Sequence, residues 1–208
     1  MVDVLSFTTT VDIATAAGAV IFPFGFGDDR AAAFAGEQNA VLAGSREEDG
    51  FSLSPSSLTR IEPGTRLVLP SPNGAALSLL AGSLGHTVVA ACIRNAAAVA
   101  EGLTTAGTIA VIAAGERWED GSLRPAVEDF LGAGAVIAAS AAKSRSPEAH
   151  VAAASFLAAQ PHLDVTLRDA MSGRELIERG FAADVELAAE LNASTTFPRM
   201  DHGFFSSP

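Results

Sequence analysis

Glu128 and Asp129 stand side by side at the start of an apolar run, Phe130-Leu131-Gly132-Ala133-Gly134-Ala135. A carboxyl pair against a buried helix is unusual, because an unpaired buried charge is costly. Two readings are open. Acids in a first helical turn complement the helix dipole. Alternatively, hard carboxylate oxygens suit magnesium, which keeps several waters and bridges to substrate phosphate. Neighbouring helical residues point about 100° apart, so both acids need not touch one ion. One can bind metal while the other orients a water or holds an amide.

Three more segments carry polar groups of a matching kind. In Val2-Asp3-Val4-Leu5-Ser6-Phe7-Thr8-Thr9-Thr10, a strand ends and a helix opens with hydroxyls. Helix-opening amides with the hydroxyls of Thr8 and Thr9 can bind a phosphate or sulfonate oxygen, and Asp3 can hold a cation. Ordinary capping by Thr8, with Asp3 tied to backbone amides, is the competing account. Pro70-Ser71-Pro72-Asn73-Gly74 joins a strand to a helix, and Asn73 followed by Gly74 leaves amides open to an anion. Arg94-Asn95 occupies the same place after the next strand. Arg94 can clamp a phosphate or sulfonate bidentately, or simply be a solvated surface arginine.

Other chemistries find no support. There is no G-x-x-x-x-G-K-[ST] loop, no third glycine after Gly25-Phe26-Gly27, and no G-x-S-x-G elbow. The histidines, His86, His150, His162 and His202, have no ligand spacing. Cys92 lies in an apolar run and reads as a small buried hydrophobe.

The elements that must position these groups alternate. Strands are expected at Val2–Leu5, Ala19–Phe24, Ala40–Ala43, Arg66–Leu69, Thr87–Ala91 and Thr108–Ala113. Helices are expected from Thr8 to Ala17 with Gly18 as stop, from an Asp28 cap to Glu37, and over Asn73–Ser83, Asn95–Leu103 and Ala126–Ala142. Beyond Pro147 the pattern turns helical, at Glu148–Ala159, Leu163–Arg179 and Asp184–Leu191. Repeated strand–loop–helix units predict an α/β domain with a mostly parallel sheet and helices on both faces. Right-handed crossovers would then place Ser6–Thr10, Gly44–Ser57, Ser71–Gly74, Arg94–Asn95 and Gly115–Asp129 on one edge, where ligands of open α/β sheets bind.

The 208 residues predict one domain over 1–208, with 195–208 as a flexible tail or docking arm. With 49% hydrophobic residues, the core needs no metal or disulfide staple. The net charge of −11 and the lack of a basic stripe exclude nucleic acid and a membrane surface as partners. A small phosphorylated anion remains compatible, because local donors and a cation set the field at a site. The start lacks a signal peptide, and the expected compartment is the cytoplasm. Apolar surface on the C-terminal helices and the Phe-rich tail suggests self-association as a homodimer.

Taken in order, Val-Asp-Val-Leu-Ser-Phe-Thr-Thr-Thr (2–10), Leu-Ala-Gly (42–44), Asp-Gly-Phe (49–51), Ser-Pro (54–55), Pro-Asn-Gly (72–74), Arg-Asn-Ala (94–96), Ala-Gly (114–115), Glu-Asp (128–129) and Gly-Ala-Gly-Ala (132–135) resemble the 2-phosphosulfolactate phosphatase family. The resemblance spans residues 2 to 191. It implies a three-layer α/β/α sandwich and magnesium-dependent hydrolysis of 2-phosphosulfolactate to sulfolactate and phosphate. It would place Asp3, Asn73, Asn95, Glu128 and Asp129 at the active-site edge. On this reading Asp3, Glu128 and Asp129 serve metal and water, while Thr8, Thr9, Asn73, Gly74, Arg94 and Asn95 serve substrate oxygens. Ser45 stands where relatives often have an acid, and Leu53 replaces an Asn. These two departures motivate the alternative of a non-catalytic anion-binding relative.

Overall fold

Residues 1–26 and 29–207 are described by the computed structural model. In chain order they form α1 (Phe7–Ala16), β1 (Val20–Phe24), α2 (Asp29–Glu37), β2 (Val41–Leu42), β3 (Arg66–Pro70), α3 (Gly74–Ser83), β4 (Val88–Val89) and α4 (Ala96–Gly102). There follow β5 (Glu116–Arg117), β6 (Leu123–Arg124), α5 (Val127–Ala139), α6 (Pro147–Ala159), α7 (Leu163–Asp169), α8 (Met171–Glu178), α9 (Ala182–Ala189), β7 (Arg199–Asp201) and β8 (Phe204–Ser206). The expected Asp28 cap lies outside the described residues. Among those residues no helix is long and apolar enough to cross a membrane.

The α/β character is as expected, but the sheet is mixed rather than mostly parallel. Its order is β2-β3-β1-β8-β7-β4. β1–β3 and β2–β3 are parallel, whereas β1–β8, β7–β8 and β4–β7 are antiparallel. The cause is the segment read as a tail. β7 and β8 form a hairpin that inserts between β1 and β4, so 199–206 is central sheet and not a free arm. Phe205 is fully buried there, and its ring meets Phe7 edge-on at 6.1 Å between centroids.

Beyond β4 the sheet continues only as bridges. Val2 pairs in parallel with Ala91 on one side and Ala113 on the other. The expected strands Val2–Leu5 and Thr108–Ala113 thus shrink to single pairings, and the expected helix Leu163–Arg179 breaks at Ala170 into α7 and α8.

Successive residues of β1 and β3 point to opposite faces of the sheet, and both faces are buried. Ile21, Leu67 and Phe205 pack with Phe7 and Val11 of α1, while Phe22 and Val68 meet Ala35 and Phe34 of α2. A third cluster joins Val2, Val4 and Ala91 to Leu131 and Ala135 of α5, Phe156 of α6 and Val185 of α9. The glycines of α5 allow close packing: a Cβ on Gly134 would collide with the Ala152 carbonyl of α6, and one on Gly132 with Val4. Gly18 ends α1 as expected, at φ +82°, with the Ala19 amide reaching back to the Ala14 carbonyl at 3.0 Å.

Candidate active site

Asp3 follows directly on the Val2 bridge, and the residue is 6% exposed. It accepts the Phe7 amide at 3.2 Å and the Gly74 amide at 2.8 Å. The opening of α1 and the opening of α3 are thereby tied to one side chain. Gly74 is required for this approach, because a Cβ there would lie 2.6 Å from Asp3 Oδ2. Burial pushes the Asp3 pKa up to about 6, opposed by the two amides and assisted by the charges of Glu116 and Glu128.

Asp129, in the first turn of α5, accepts the Val4 amide at 2.6 Å and the Gly115 amide at 2.8 Å. Burial holds its pKa well above the usual carboxylate range, with the Asp3 charge adding to the effect. Its neighbour Glu128 differs in kind. Glu128 is 2% exposed yet has no hydrogen-bond or ion-pair partner among the described residues, while its charge acts on Asp3, Asp129 and Arg124. Sequence proximity therefore conceals two settings: a strut that holds backbone, and an acid with no hydrogen-bond partner among the described residues.

Asn73 occupies the N-cap of α3 but makes no side-chain cap bond. Instead its Nδ2 donates to Glu116 Oε1 at 2.9 Å, joining the 70–74 loop to the β5–β6 hairpin. Four of the five expected segments meet: Ser6–Thr10, Ser71–Gly74 and Gly115–Asp129 through these bonds, and Gly44–Ser57 where Thr10 Oγ1 donates to the Leu53 carbonyl at 3.1 Å. The pairings run β4, and the bridges parallel to it, opposite to β1, β2 and β3. A shared carboxyl edge of one parallel sheet is thus not what gathers the loops; the carboxylates of Asp3 and Asp129 bridge Ser6–Thr10, Ser71–Gly74 and Gly115–Asp129, and Thr10 ties in Gly44–Ser57.

The remaining expected contacts have their polar atoms committed to other partners. Thr8 and Thr9 are fully buried and donate back to the Asp3 and Val4 carbonyls, both at 2.7 Å. Arg94 pairs with Asp12 at 3.1 Å, with the Leu187 carbonyl at 3.1 Å and with Glu190. Asn95, fully buried, accepts the Cys92 amide at 2.8 Å and donates to the Ala90 carbonyl at 3.3 Å. Cys92 is buried as read, and burial pushes its thiol up to about 12.

Arg46 escaped the reading of the sequence. Its Nη1 donates to Asp184 at 2.5 Å and its Nη2 to Ser6 Oγ at 2.7 Å. Asp184, fully buried on α9, also accepts from Ser54 Oγ at 2.6 Å and the Ser56 amide at 3.0 Å. The only signal was an arginine within the polar run Ser45-Arg46-Glu47-Glu48; Asp184 looked like an ordinary first-turn acid. A second guanidinium, Arg124, is held by Glu175 at 2.7 and 3.0 Å and lies in the field of Glu116 and Glu128.

Among the described residues no group of three or more His, Cys, Asp or Glu side chains is arranged as a metal cage. The donor chemistry nevertheless fits magnesium. Asp3 and Glu128 offer hard oxygens in a crowded acidic setting that a cation relieves, and magnesium needs only one or two carboxylates beside its waters. A separate cavity of about 860 Å3, between residues 104–113, α5 and α6, contains none of these groups.

Fold and site define an α/β protein whose polar loops gather carboxylates, the backbone amides they hold, and arginines in one place. Residues 1–203 match the family model described as 2-phosphosulpholactate phosphatase. A protein of Carboxydothermus hydrogenoformans described as a probable 2-phosphosulfolactate phosphatase is 33% identical over 204 residues, covering 95% of this chain and 84% of the relative. The chain belongs to the 2-phosphosulpholactate phosphatase family, and so to the phosphoric monoester hydrolases.

Proposed function

We propose that this chain hydrolyses 2-phosphosulfolactate, a small phosphorylated acid, to sulfolactate and phosphate with Mg2+. The observation that carries the proposal is Glu128, a residue only 2% exposed whose carboxylate has no hydrogen-bond partner among the described residues and lies in the field of Asp3 and Asp129. Asp3 and Glu128 would hold the ion, with Asp129 fixing the backbone around them. When bound, the ion neutralises phosphoryl charge. The Gly74 loop and Asn73 confine the phosphate next to the acids.

In the chemical step a water oxygen bonds to phosphorus, in line with the departing oxygen. The bond from phosphorus to the sulfolactate oxygen breaks, and that oxygen keeps the electron pair. Glu128 takes the proton the water loses, and the proton needed by the departing oxygen is returned. The same reading takes the fold as a three-layer α/β/α sandwich, supported by helices packed on both sheet faces.

One observation favours a second reading, a non-catalytic anion binder: both oxygens of Asp3 and of Asp129 already accept backbone amides. Phosphate release from a panel of phosphorylated acids, with magnesium and then with EDTA, separates the two. Magnesium-dependent release supports the phosphatase; ligand binding by calorimetry without turnover at any magnesium concentration supports the binder.

A further inference from the structure

Arg46 is a guanidinium built into the wall of the site. Its side chain is only 10% exposed, and it lies 5.6 Å from the centroid of the Phe181 ring. Arg179 approaches the same ring at 5.5 Å, so two like charges share one aromatic ring. Burial and the Arg179 charge both disfavour the cationic form of Arg46, while Asp184 and Asp3 favour it. An oxyanion placed here would stabilise the arginine further.

The guanidinium has donors left for such a guest. Two of its N–H donors are used, one by Asp184 and one by Ser6. A guanidinium carries five, so a fork remains for a planar or trigonal oxyanion. Its direction is fixed from behind. Asp184 holds Arg46 while gripping Ser54 and Ser56, so the Gly44–Ser57 loop and α9 move as one with the arginine. Ser6 stands three residues from Asp3, which places Arg46 beside the acid cluster without joining it.

We propose that Arg46 receives the second, non-reacting acid group of the substrate, a sulfonate or carboxylate carried on the same small skeleton as the phosphate ester, and that Asp184 is the positioning residue that aims it. The proposal rests on the reading of this cluster as a phosphate-ester site. It assigns the reacting phosphoryl group to the side of Asp3 and Glu128. Recognition of the remainder of the molecule falls to a loop that sequence reading passes over.

The test compares 2-phosphosulfolactate with 2-phospholactate, which lacks the sulfonate, and with the phosphate ester of 2-hydroxyethanesulfonate, which lacks the carboxylate. Arg46→Gln is expected to raise KM for 2-phosphosulfolactate about 10- to 100-fold, the loss of a charged hydrogen bond or two, with kcat within about threefold. For whichever analogue lacks the group that Arg46 binds, KM is expected to change by less than about threefold, and that identifies the group. Asp184→Asn should shift KM in the same pattern by about tenfold. Methylguanidinium in solution should lower the raised KM of Arg46→Ala, a rescue that damaged folding would not show. An equal loss of kcat on all three substrates, or unchanged discrimination among them, overturns the proposal. Calorimetry with sulfolactate separates this failure from that of the phosphatase reading. If the unaltered chain hydrolyses nothing but binds sulfolactate, and Arg46→Gln loses that binding, the phosphatase reading falls and this inference stands. If the unaltered chain does not bind sulfolactate, this inference falls as well.

Discussion

Asp129 accepts the backbone amide of Val4 at 2.6 Å, one residue beyond Asp3, and with its other oxygen takes the amide of Gly115 at 2.8 Å. The start of α5, the N-terminal bridge and the loop after Ala113 are therefore one hydrogen-bonded unit around a buried acid. Asp129→Ala leaves two buried amides without partners, at about 1–3 kcal/mol each, so unfolding in urea should show a loss of about 2–6 kcal/mol. Asp129→Asn keeps one acceptor and should lose about half as much. A loss below about 1 kcal/mol for Asp129→Ala would mean that the amides find water, and that the strut is dispensable.

Glu128 sits one residue earlier and should behave in the opposite way. It accepts no hydrogen bond from the described residues, and the nearby carboxylates of Asp3 and Asp129 repel it. Glu128→Gln removes that repulsion and breaks no contact, so stability should stay within about 1 kcal/mol of the parent. Phosphatase rate should fall by about 10²- to 10⁴-fold, the usual weight of a proton-transferring group. Steady-state kinetics on folded protein checks this, and unchanged kcat would remove Glu128 from the chemical step.

The acids of the site were legible in the sequence because of where they stood. Asp3 ended a strand-like run, and Glu128-Asp129 opened an apolar helix, settings in which a carboxylate must have a partner or a purpose. The arginine was not legible. Arg46 lies in a loop with Glu47 and Glu48, where local composition describes a solvated turn, and only the fold brings Asp184 from 138 positions away. The sheet failed for a related reason. Phe204–Ser206 is a strand of only three residues, too short to read against the surrounding Ser, Pro and His, and the pairing of Phe205 with Ile21 is entirely long-range. Alternation revealed the α/β class; it could not reveal a hairpin that joins the sheet last.

Arg94 and Asn95 occupy a loop position that suits substrate binding, yet their hydrogen bonds are architectural. Arg94 compensates Asp12, a fully buried acid of α1 whose other oxygen accepts from Thr196 at 2.5 Å. Arg94→Ala strands that charge and should cost about 3 kcal/mol in urea or thermal unfolding, while KM for the phosphate ester stays within about twofold. Asn95→Ala should likewise destabilise by about 1–3 kcal/mol through the orphaned Cys92 amide. A rise in KM without loss of stability in either variant would return these residues to the substrate.

Asp3 contributes to the pH dependence of the site, alongside Asp129, whose pKa is also held above the usual range by burial. The Asp3 carboxyl titrates at about 6 in the folded chain against a reference of 3.8, chiefly because burial penalises the charged form. Between these values the folded chain retains a proton that the unfolded chain has released. The contribution of Asp3 to stability is thus fully present below about pH 4 and lost as pH rises to about 6. Above that the carboxylate is charged, buried and beside other acids, the state that a divalent cation would relieve. Magnesium should therefore raise Tm by several degrees at pH 7.5 and by little at pH 5, EDTA should cancel the rise, and Asp3→Asn should abolish it. Differential scanning calorimetry at the two pH values reads this directly. An equal magnesium shift at both, or none at either, would take Asp3 out of the ligand set and leave it as an anchor for the Phe7 and Gly74 amides.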